Sequence, residues 1–326
     1  MNEADRVRAA LSMEPVDRPP AAWWGHTFVE EWSPAELARV TEERRRRFGW
    51  DFVKLQPRAT CFAEAFGARY RPSGRGDQPP VLESAPIHSV GDWETVGAGA
   101  VVTALADQHE AVSRVMAQVG PVVPVIQTVF SPLTVAGYLV GEDRPLAVRH
   151  LREHPEAVGA ALNRIAGTLG DFAARAVDAG AAGVFFAVSG YASTDLMTED
   201  EYRDLVLPHD RRVLDAVPGS AWFNVLHLCG ANLHFGVAAD LPSHAISWSM
   251  HEAGNPSLSG GRDLAGRAVM GGVDRVGVLV HGTPALVTAQ VRGAIAATKG
   301  RGVLVAPGCS VPPEAPHENL AAMTPA

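Results

Sequence analysis

Short apolar segments alternate with longer segments rich in alanine, arginine, glutamate and leucine along most of the chain. Apolar runs rich in Val, Ile, Phe or Trp indicate buried strands and the intervening segments indicate helices, so the pattern is typical of repeated strand–helix units. Eight such runs lie near residues 20–25, 51–56, 121–128, 182–188, 221–228, 245–250, 268–273 and 302–306. Eight units in 326 residues predict an α/β fold, the (β/α)8 TIM barrel. A doubly wound sheet is the alternative, but the first strand is not followed by the GxGxxG motif of its dinucleotide-binding form.

Capping signals indicate where several of the helices begin. Ser33 precedes Pro34, a combination of N-cap and first-turn proline that favours a helix start. Thr198 is followed three residues later by Glu201, which is the capping-box pattern. A third start is predicted before Pro284. These signals support long helices between the predicted strands.

The composition limits the domain organisation and the classes of partner. No Ser/Gly linker or charged tail divides the sequence, so we expect one barrel domain over residues 1–326 with an N-terminal helical extension. A stretch rich in Pro and Gly predicts an excursion near residues 68–92, in the form of a hairpin or a longer loop. The net charge of -8 argues against nucleic-acid binding, and no apolar run is long enough to span a membrane. Three cysteines without a signal peptide favour a cytoplasmic location without disulfides.

Two of the three cysteines fall at predicted strand ends, where the active site of a TIM barrel lies. His227 and Cys229 are two residues apart, so their side chains share one face of the fifth predicted strand. Cys309 follows the eighth strand and reaches the same rim. One imidazole and two thiols with an open position would suit a catalytic zinc ion, although a free cysteine is often only a small core residue. Cys61 is expected to be a buried helix residue without a role in the site.

Other residues after the predicted strands are candidates for contacts with substrate or cofactor. His26 could contact substrate or act as acid or base, and the alternative is a packed or solvent-facing histidine. Gln127 and Tyr191 are candidates for cofactor binding from their strand-end position alone. His251 could supply a fourth ligand or a proton relay, and a solvated loop position is its alternative. Asp274 ends the seventh strand, where it could serve the site or cap a helix.

A series of short motifs occurs in a fixed order along the chain. They are RVRAAL at 6–11, PVDRPP at 15–20, EAFG at 64–67, HLCG at 227–230, GGVD at 271–274, GTP at 282–284, PGC at 307–309 and PHENL at 316–320. In this order and spacing the sequence resembles the uroporphyrinogen decarboxylase superfamily. The resemblance extends over nearly the whole chain and implies the barrel fold of that family.

Within that superfamily the methyltransferase branch is the better match. The decarboxylase would carry an arginine-rich N-terminal loop and a catalytic Asp after the second strand, whereas here the loop 23–28 lacks arginine and Arg58 stands at the second place. The branch that includes methylcobamide:coenzyme M methyltransferases carries His-X-Cys after one strand and a Cys after the last. The matching residues are His227, Cys229 and Cys309, which the resemblance implies are zinc ligands, and Asp274 matches a family position near the barrel mouth.

The resemblance therefore implies a zinc-dependent methyltransferase that moves a methyl group between a corrinoid (cobalamin) and a small thiol or methylated substrate, including demethylation. The sequence has no Asp-X-His-X-X-Gly motif, so we expect the corrinoid to be free or to come from a separate partner protein. A homodimer is common in the family and is expected here. The alternatives are a metal-free decarboxylase-like lyase and a non-catalytic protein that binds a corrinoid or another small molecule.

Overall fold

The computed structural model describes residues 1–97 and 103–325 of the chain. In these residues the strands are β1 (Val53–Leu55), β2 (Arg69–Arg71), β3 (Val81–Ser84), β4 (Val125–Phe130), β5 (Gly183–Ser189), β6 (Val225–Cys229), β7 (Ala245–Ser247), β8 (Ala268–Val273) and β9 (Val303–Pro307). The helices are α1 (Glu3–Leu11), α2 (Pro34–Phe48), α3 (Cys61–Glu64), α4 (Thr103–Val119), α5 (Pro132–Leu139), α6 (Arg144–Glu153), α7 (Pro155–Asp178), α8 (Glu199–Leu205), α9 (Leu207–Asp215), α10 (Leu258–Ala265), α11 (Pro284–Ala297) and α12 (His317–Ala321).

Seven strands form one parallel sheet in the order β1-β4-β5-β6-β7-β8-β9. α-Helices connect the strands in sequence, except between β6 and β7, where a short 3-10 helix (Phe235–Ala239) takes their place. Each pair of neighbouring strands is parallel, as the alternating pattern predicts. The strands are buried on both faces, which explains their nearly continuous apolar sequences. The arrangement confirms the predicted (β/α)8 TIM-barrel class.

The first predicted strand, near residues 20–25, is wrong as a regular strand. Among the described residues this segment forms only an isolated parallel bridge, between Ala21 and Val305. Pro20 has no backbone N–H, so it offers the ladder only its carbonyl oxygen, which accepts from Val305 N at 2.8 Å. On the other side, the oxygen of Ala21 accepts from Asp51 N at 2.9 Å. The segment therefore connects β9 to the residues before β1 and occupies the place of the missing strand.

The helices begin where the capping signals predict. The side chains of Ser33, Thr198 and Thr283 each accept a hydrogen bond from a backbone N–H in the first turn of α2, α8 and α11. At α8 the capping box is complete, because Glu201 also accepts from the backbone N–H of Thr198. Upstream of the barrel lies α1, and the antiparallel pair β2–β3 lies within the stretch predicted as an excursion.

Helices cover the outer face of the sheet, and α7 shows how they are held there. Its 24 residues bury one face of branched and aromatic side chains, among them Leu162, Ile165, Leu169 and Phe172. Each such side chain contributes about 1.5–3 kcal/mol when it is fully buried. None of the helices within residues 1–97 and 103–325 combines the length and the hydropathy needed to cross a bilayer.

Candidate functional site

Strands β6 and β9 bring one histidine and two cysteines together at the C-terminal end of the barrel. His227 and Cys229 lie two residues apart on β6 and Cys309 lies just after β9, so their side chains meet across the mouth. One ligand atom from each of the three residues lies within 4.8 Å of the others. The sulfurs of Cys229 and Cys309 are 3.7 Å apart. The structure therefore assembles the cluster that the sequence predicts.

The imidazole of His227 is held by its neighbours in a form that leaves one nitrogen available. Its Nδ1 lies 3.2 Å from the hydroxyl of Ser247 on β7, and its ring stacks on Phe185 with 5.0 Å between centroids. The residue is 3% exposed, and its Nε2 has no hydrogen-bond partner among the described residues. When Nδ1 donates to Ser247, Nε2 keeps an unshared lone pair, which is the form that binds a metal.

The two thiols have different ionisation behaviour because they interact with each other. The hydrogen bond from the Cys229 thiol lowers the pKa of Cys309, and His227 and Arg275 favour the same thiolate. That hydrogen bond and burial raise the pKa of Cys229. Sulfur and imidazole nitrogen are the ligands that zinc prefers, and three protein ligands are usual for a catalytic zinc site. The donor set and the available Nε2 therefore fit a zinc ion.

His26 lies in a hydrogen-bonded chain that leads toward this cluster without joining it directly. Its Nδ1 lies 2.8 Å from Glu31 Oε1 and its Nε2 lies 3.1 Å from Gln56 Nε2. The other end of the Gln56 amide, Oε1, lies 3.5 Å from the hydroxyl of Ser310, the residue after Cys309. Because Oε1 accepts, Nε2 of Gln56 donates to His26, and the proton of a neutral His26 then lies on Nδ1, facing Glu31.

Lys54 on β1 is a site residue that the sequence analysis missed. Its ammonium group donates to Gln56 Oε1 and lies 4.7 Å from the Phe185 ring centroid and 5.5 Å from that of Trp24. Burial lowers the pKa of Lys54 to about 7, although the negative charge of Cys309 acts in the opposite direction. The available signal was a lysine within a buried strand, in a chain that has only two lysines.

The strand register separates Gln127 from the cluster. Thr128 is paired with Phe185, and Ala187 is paired with His227, so the side chains of Thr128 and His227 lie on one face of the sheet. Gln127 precedes Thr128 and therefore faces the helices instead. It is fully buried there, and its Nε2 donates to the Thr128 carbonyl at 2.9 Å. A cofactor contact by Gln127 stays a prediction.

Asp274 and His251 lie at strand ends but contact backbone groups. Asp274 Oδ1 accepts from the amides of Val276 and Gly277, each at 3.0 Å, and so orders the loop after β8. His251 is exposed, and its Nε2 lies 3.4 Å from the Gly272 carbonyl beside an apolar groove. A direct site role for either residue stays a prediction.

Two further residues have structural surroundings. Cys61 is fully buried in α3, as expected, and burial raises the pKa of its thiol. Arg58 forms a two-point ion pair with Glu64, and its guanidinium lies 4.0 Å from the ring centroid of Trp32. These contacts pair the charge of Arg58 with a carboxylate of the same chain and pack its guanidinium against an aromatic ring.

Tyr191 lies beside β5 in a cavity next to the cluster. The residue is 1% exposed, and its hydroxyl has no hydrogen-bond partner within the described parts of the chain. The cavity is also lined by Ser189, which is paired in register with Cys229. A contact between Tyr191 and a cofactor stays a prediction.

Comparisons with known proteins concern the family and the fold of the chain. The family model described as "Uroporphyrinogen decarboxylase (URO-D)" matches residues 2–326. A methylcobamide:CoM methyltransferase, MtbA, of Methanosarcina mazei is 26% identical over 340 residues, with 98% of this chain and 95% of the relative covered. The methylcobamide:CoM methyltransferase MtaA of Methanosarcina barkeri is 26% identical over 334 residues, with the same coverage. The solved structure of a methyltransferase from Methanosarcina mazei superposes with a TM-score of 0.81 at 23% identity, covering 99% of this chain and 97% of the other, which shows a shared fold.

Proposed function

The chain belongs to the uroporphyrinogen decarboxylase (URO-D) family, and from this premise we propose that it is a zinc-dependent methyltransferase. Its reaction would move a methyl group between a corrinoid and a small thiol or methylated substrate. The relatives named as methylcobamide:CoM methyltransferases support a corrinoid as the methyl carrier. The observation that carries the proposal is the cluster of His227, Cys229 and Cys309 at the barrel mouth, with ligand atoms within 4.8 Å of one another.

His227, Cys229 and Cys309 would hold the zinc ion. A zinc ion in this set would lower the pKa of a thiol at its open position and present that thiol as a nucleophile at neutral pH. Ser247 would orient the imidazole of His227, since such hydrogen bonds fix the tautomer and ring position of a ligand. Two thiolates and a neutral imidazole would balance the charge of the ion.

His26 is the proposed group for proton exchange at the mouth. Its side chain is 19% exposed, and its Nδ1 lies 2.8 Å from the buried Oε1 of Glu31. Gln56 connects this pair to the region of Lys54 and Ser310 beside the cluster. The carboxylate of Asp274 would contribute by ordering the loop after β8.

The corrinoid would approach the same mouth, either free or on a separate protein. Tyr191 and His251 remain candidates to contact it, because both follow strands of the barrel. Decarboxylation of a porphyrinogen is the less favoured activity, since such a polycarboxylate needs free cations. The loop 23–28 contains no arginine, and Arg58 is already paired with Glu64.

The test is a metal analysis combined with a methyl-transfer assay on matched cysteine variants. We expect about one zinc per chain in the parent protein and in Cys61→Ala, and loss of zinc in Cys309→Ala. Absorbance of methylcobalamin with added thiols should show demethylation of the corrinoid by the parent and by Cys61→Ala only. Zinc well below one per chain in the parent, or equal behaviour of the two variants, would contradict the proposal. Tight corrinoid binding without turnover would instead support a non-catalytic binding protein.

A further inference from the structure

A small cavity lies between α5, the start of α6 and the end of β5. Its volume is about 240 Å³, which is below the range of drug-sized pockets and therefore suits a small ligand. The lining includes two tyrosines, Tyr138 and Tyr191, and two residues of opposite charge, Glu142 and Arg144. A ligand in this cavity would meet both a cation and a carboxylate.

The positive side of the cavity is formed by Arg144 and the hydroxyl of Tyr191. The guanidinium of Arg144 lies against Gly190, where an added Cβ would be only 2.7 Å from Nη1. Burial raises the pKa of Tyr191, so its hydroxyl remains protonated and can donate. That hydroxyl occupies the space beside Gly137, where a Cβ would be 2.0 Å away, so glycine at that position makes room for it. Both groups are suited to bind a carboxylate.

The negative side of the cavity is formed by Glu142. Its Oε1 accepts a hydrogen bond from the hydroxyl of Tyr70 at 3.0 Å, and this contact holds the carboxylate in place. Burial, together with the charge of Glu142, raises the pKa of the nearby Tyr138 to about 12. A ligand that is only an anion would be repelled by Glu142, whereas an ammonium group would be attracted.

The cavity adjoins the proposed metal ligands. Ser189 lines it and is paired in register with Cys229, and neighbouring strands lie about 4.8 Å apart. The position where Arg144 packs, Gly190, is also close to the Cys229 carbonyl, which is 3.9 Å from an added Cβ. A short thiol could therefore bind in the cavity by its charged end and reach the cysteines with its sulfur.

We propose that this cavity binds the charged end of the methyl acceptor and that the acceptor is a small zwitterionic amino acid with a thiol side chain. Arg144 and Tyr191 would bind the carboxylate, and Glu142 would bind the ammonium group. This assignment rests on the proposed methyl transfer to a thiol. It distinguishes this chain from the relatives named for coenzyme M, because it requires both charges on the acceptor.

The test measures binding without methyl transfer, using three thioethers with the same side chain. L-Methionine carries both charges, 4-(methylthio)butanoate carries only the carboxylate, and 3-(methylthio)propylamine carries only the ammonium group. We expect calorimetry on the full chain to show methionine binding at least tenfold tighter than either of the others, since each analogue lacks one of the two charges that the cavity would bind.

Three variants and one control show which residues bind the carboxylate and which residue binds the ammonium group of the ligand. Arg144→Gln should weaken methionine and the butanoate about tenfold or more without affecting the amine, and Tyr191→Phe should act in the same direction with a smaller loss. Glu142→Gln should weaken methionine and the amine. Arg149→Gln, at an exposed position on the same helix, should leave all three affinities unchanged. Normal circular dichroism of each variant excludes loss of folding as the cause.

Two outcomes separate this inference from the proposed function. If the butanoate or 2-mercaptoethanesulfonate binds as tightly as methionine, or if Glu142→Gln leaves methionine binding intact, the zwitterion assignment is overturned even where thiols still demethylate methylcobalamin. If methionine binds selectively but no thiol, including L-homocysteine, accepts a methyl group, the cavity assignment stands as a binding site and the proposed methyl transfer fails.

Discussion

The protonation state of Lys54 can be tested directly, because the chain has only one other lysine, Lys299. Burial lowers the pKa of Lys54 from 10.5 to about 7. The difference of about 3.5 pKa units, at 1.36 kcal/mol per unit, corresponds to about 5 kcal/mol. Below pH 7 Lys54 is protonated in both the folded and the unfolded chain. Burial of its positive charge then destabilises the folded protein by nearly the whole of this free energy.

The sign of the pH dependence follows from proton binding. Between pH 7 and 10.5 the unfolded chain keeps the proton on Lys54 while the folded chain has lost it, so the free energy of unfolding rises with pH in this window. Lys54→Met has no such titration. We expect the variant to be more stable than the parent near neutral pH, and the difference to shrink by about 3 kcal/mol between about pH 7 and about pH 9.5.

Two measurements check this prediction. Urea unfolding of the parent and of Lys54→Met at both pH values gives the difference between their free energies of unfolding and shows how that difference changes with pH. NMR of protein with ¹³C-labelled lysine should give two side-chain signals, with the exposed Lys299 as internal reference, and the Lys54 signal should titrate with a midpoint near 7. A Lys54 signal that does not titrate below about pH 9, together with a pH-independent stability difference, would refute the reasoning. In that case hydrogen bonding and nearby negative charge outweigh burial.

Other predictions concern the cluster and the helices. Ser247→Ala should weaken zinc binding about 10–100-fold, because His227 loses the partner that orients it. Competition with a chromophoric chelator measures the zinc affinity, and an unchanged affinity would contradict the proposed ligand geometry. Burial raises the pKa of Asp210 from 3.8 to about 7, so the folded protein holds the extra proton and the free energy of unfolding falls as pH rises through this window. Asp210→Asn should therefore gain up to about 4 kcal/mol relative to the parent between about pH 4 and about pH 8, measured by urea unfolding; an equal pH dependence in both proteins would exclude it. Thr198→Ala should lose about 1 kcal/mol of stability, since the capping hydrogen bond to α8 is removed; a urea midpoint equal to that of the parent would show that the cap is replaceable.

Much of the fold was predictable because its signals are local. Buried strands need apolar runs and helices need caps, so the strand–helix alternation and residues such as Ser33 and Thr198 identified the elements. The segment near 20–25 was misassigned because an apolar run alone does not show whether its backbone can pair. Pro20 limits that pairing because it has no backbone N–H. Only the contacts of this segment with β9 and with the residues before β1 show that it lies where the missing strand would be.

The ligand set could be predicted in part. His227 and Cys229 share a strand face by their spacing alone, and the family motifs implied Cys309. The 3.7 Å separation of the two sulfurs and the unpartnered Nε2 of His227 depend on how the sheet curls to bring the ends of β6 and β9 together, which is a property of the tertiary structure. Gln127 shows what sequence position alone does not reveal, since a position near a strand end does not indicate which face of the sheet the side chain takes.

The sequence by itself determined the strand–helix order, the family motifs and the identity of the residues that we propose as zinc ligands. Only the tertiary structure decided how those residues behave. The lowered pKa of Lys54 comes from its burial beside Phe185 and Trp24. These two residues are close to Lys54 in space but far from each other in the sequence. The cavity that Glu142 and Arg144 share with Ser189 and Tyr191 arises in the same way, because α5, α6 and the end of β5 meet there. The physical reason is that periodicity and capping act over a few residues, whereas burial and charge depend on every element that packs around a group.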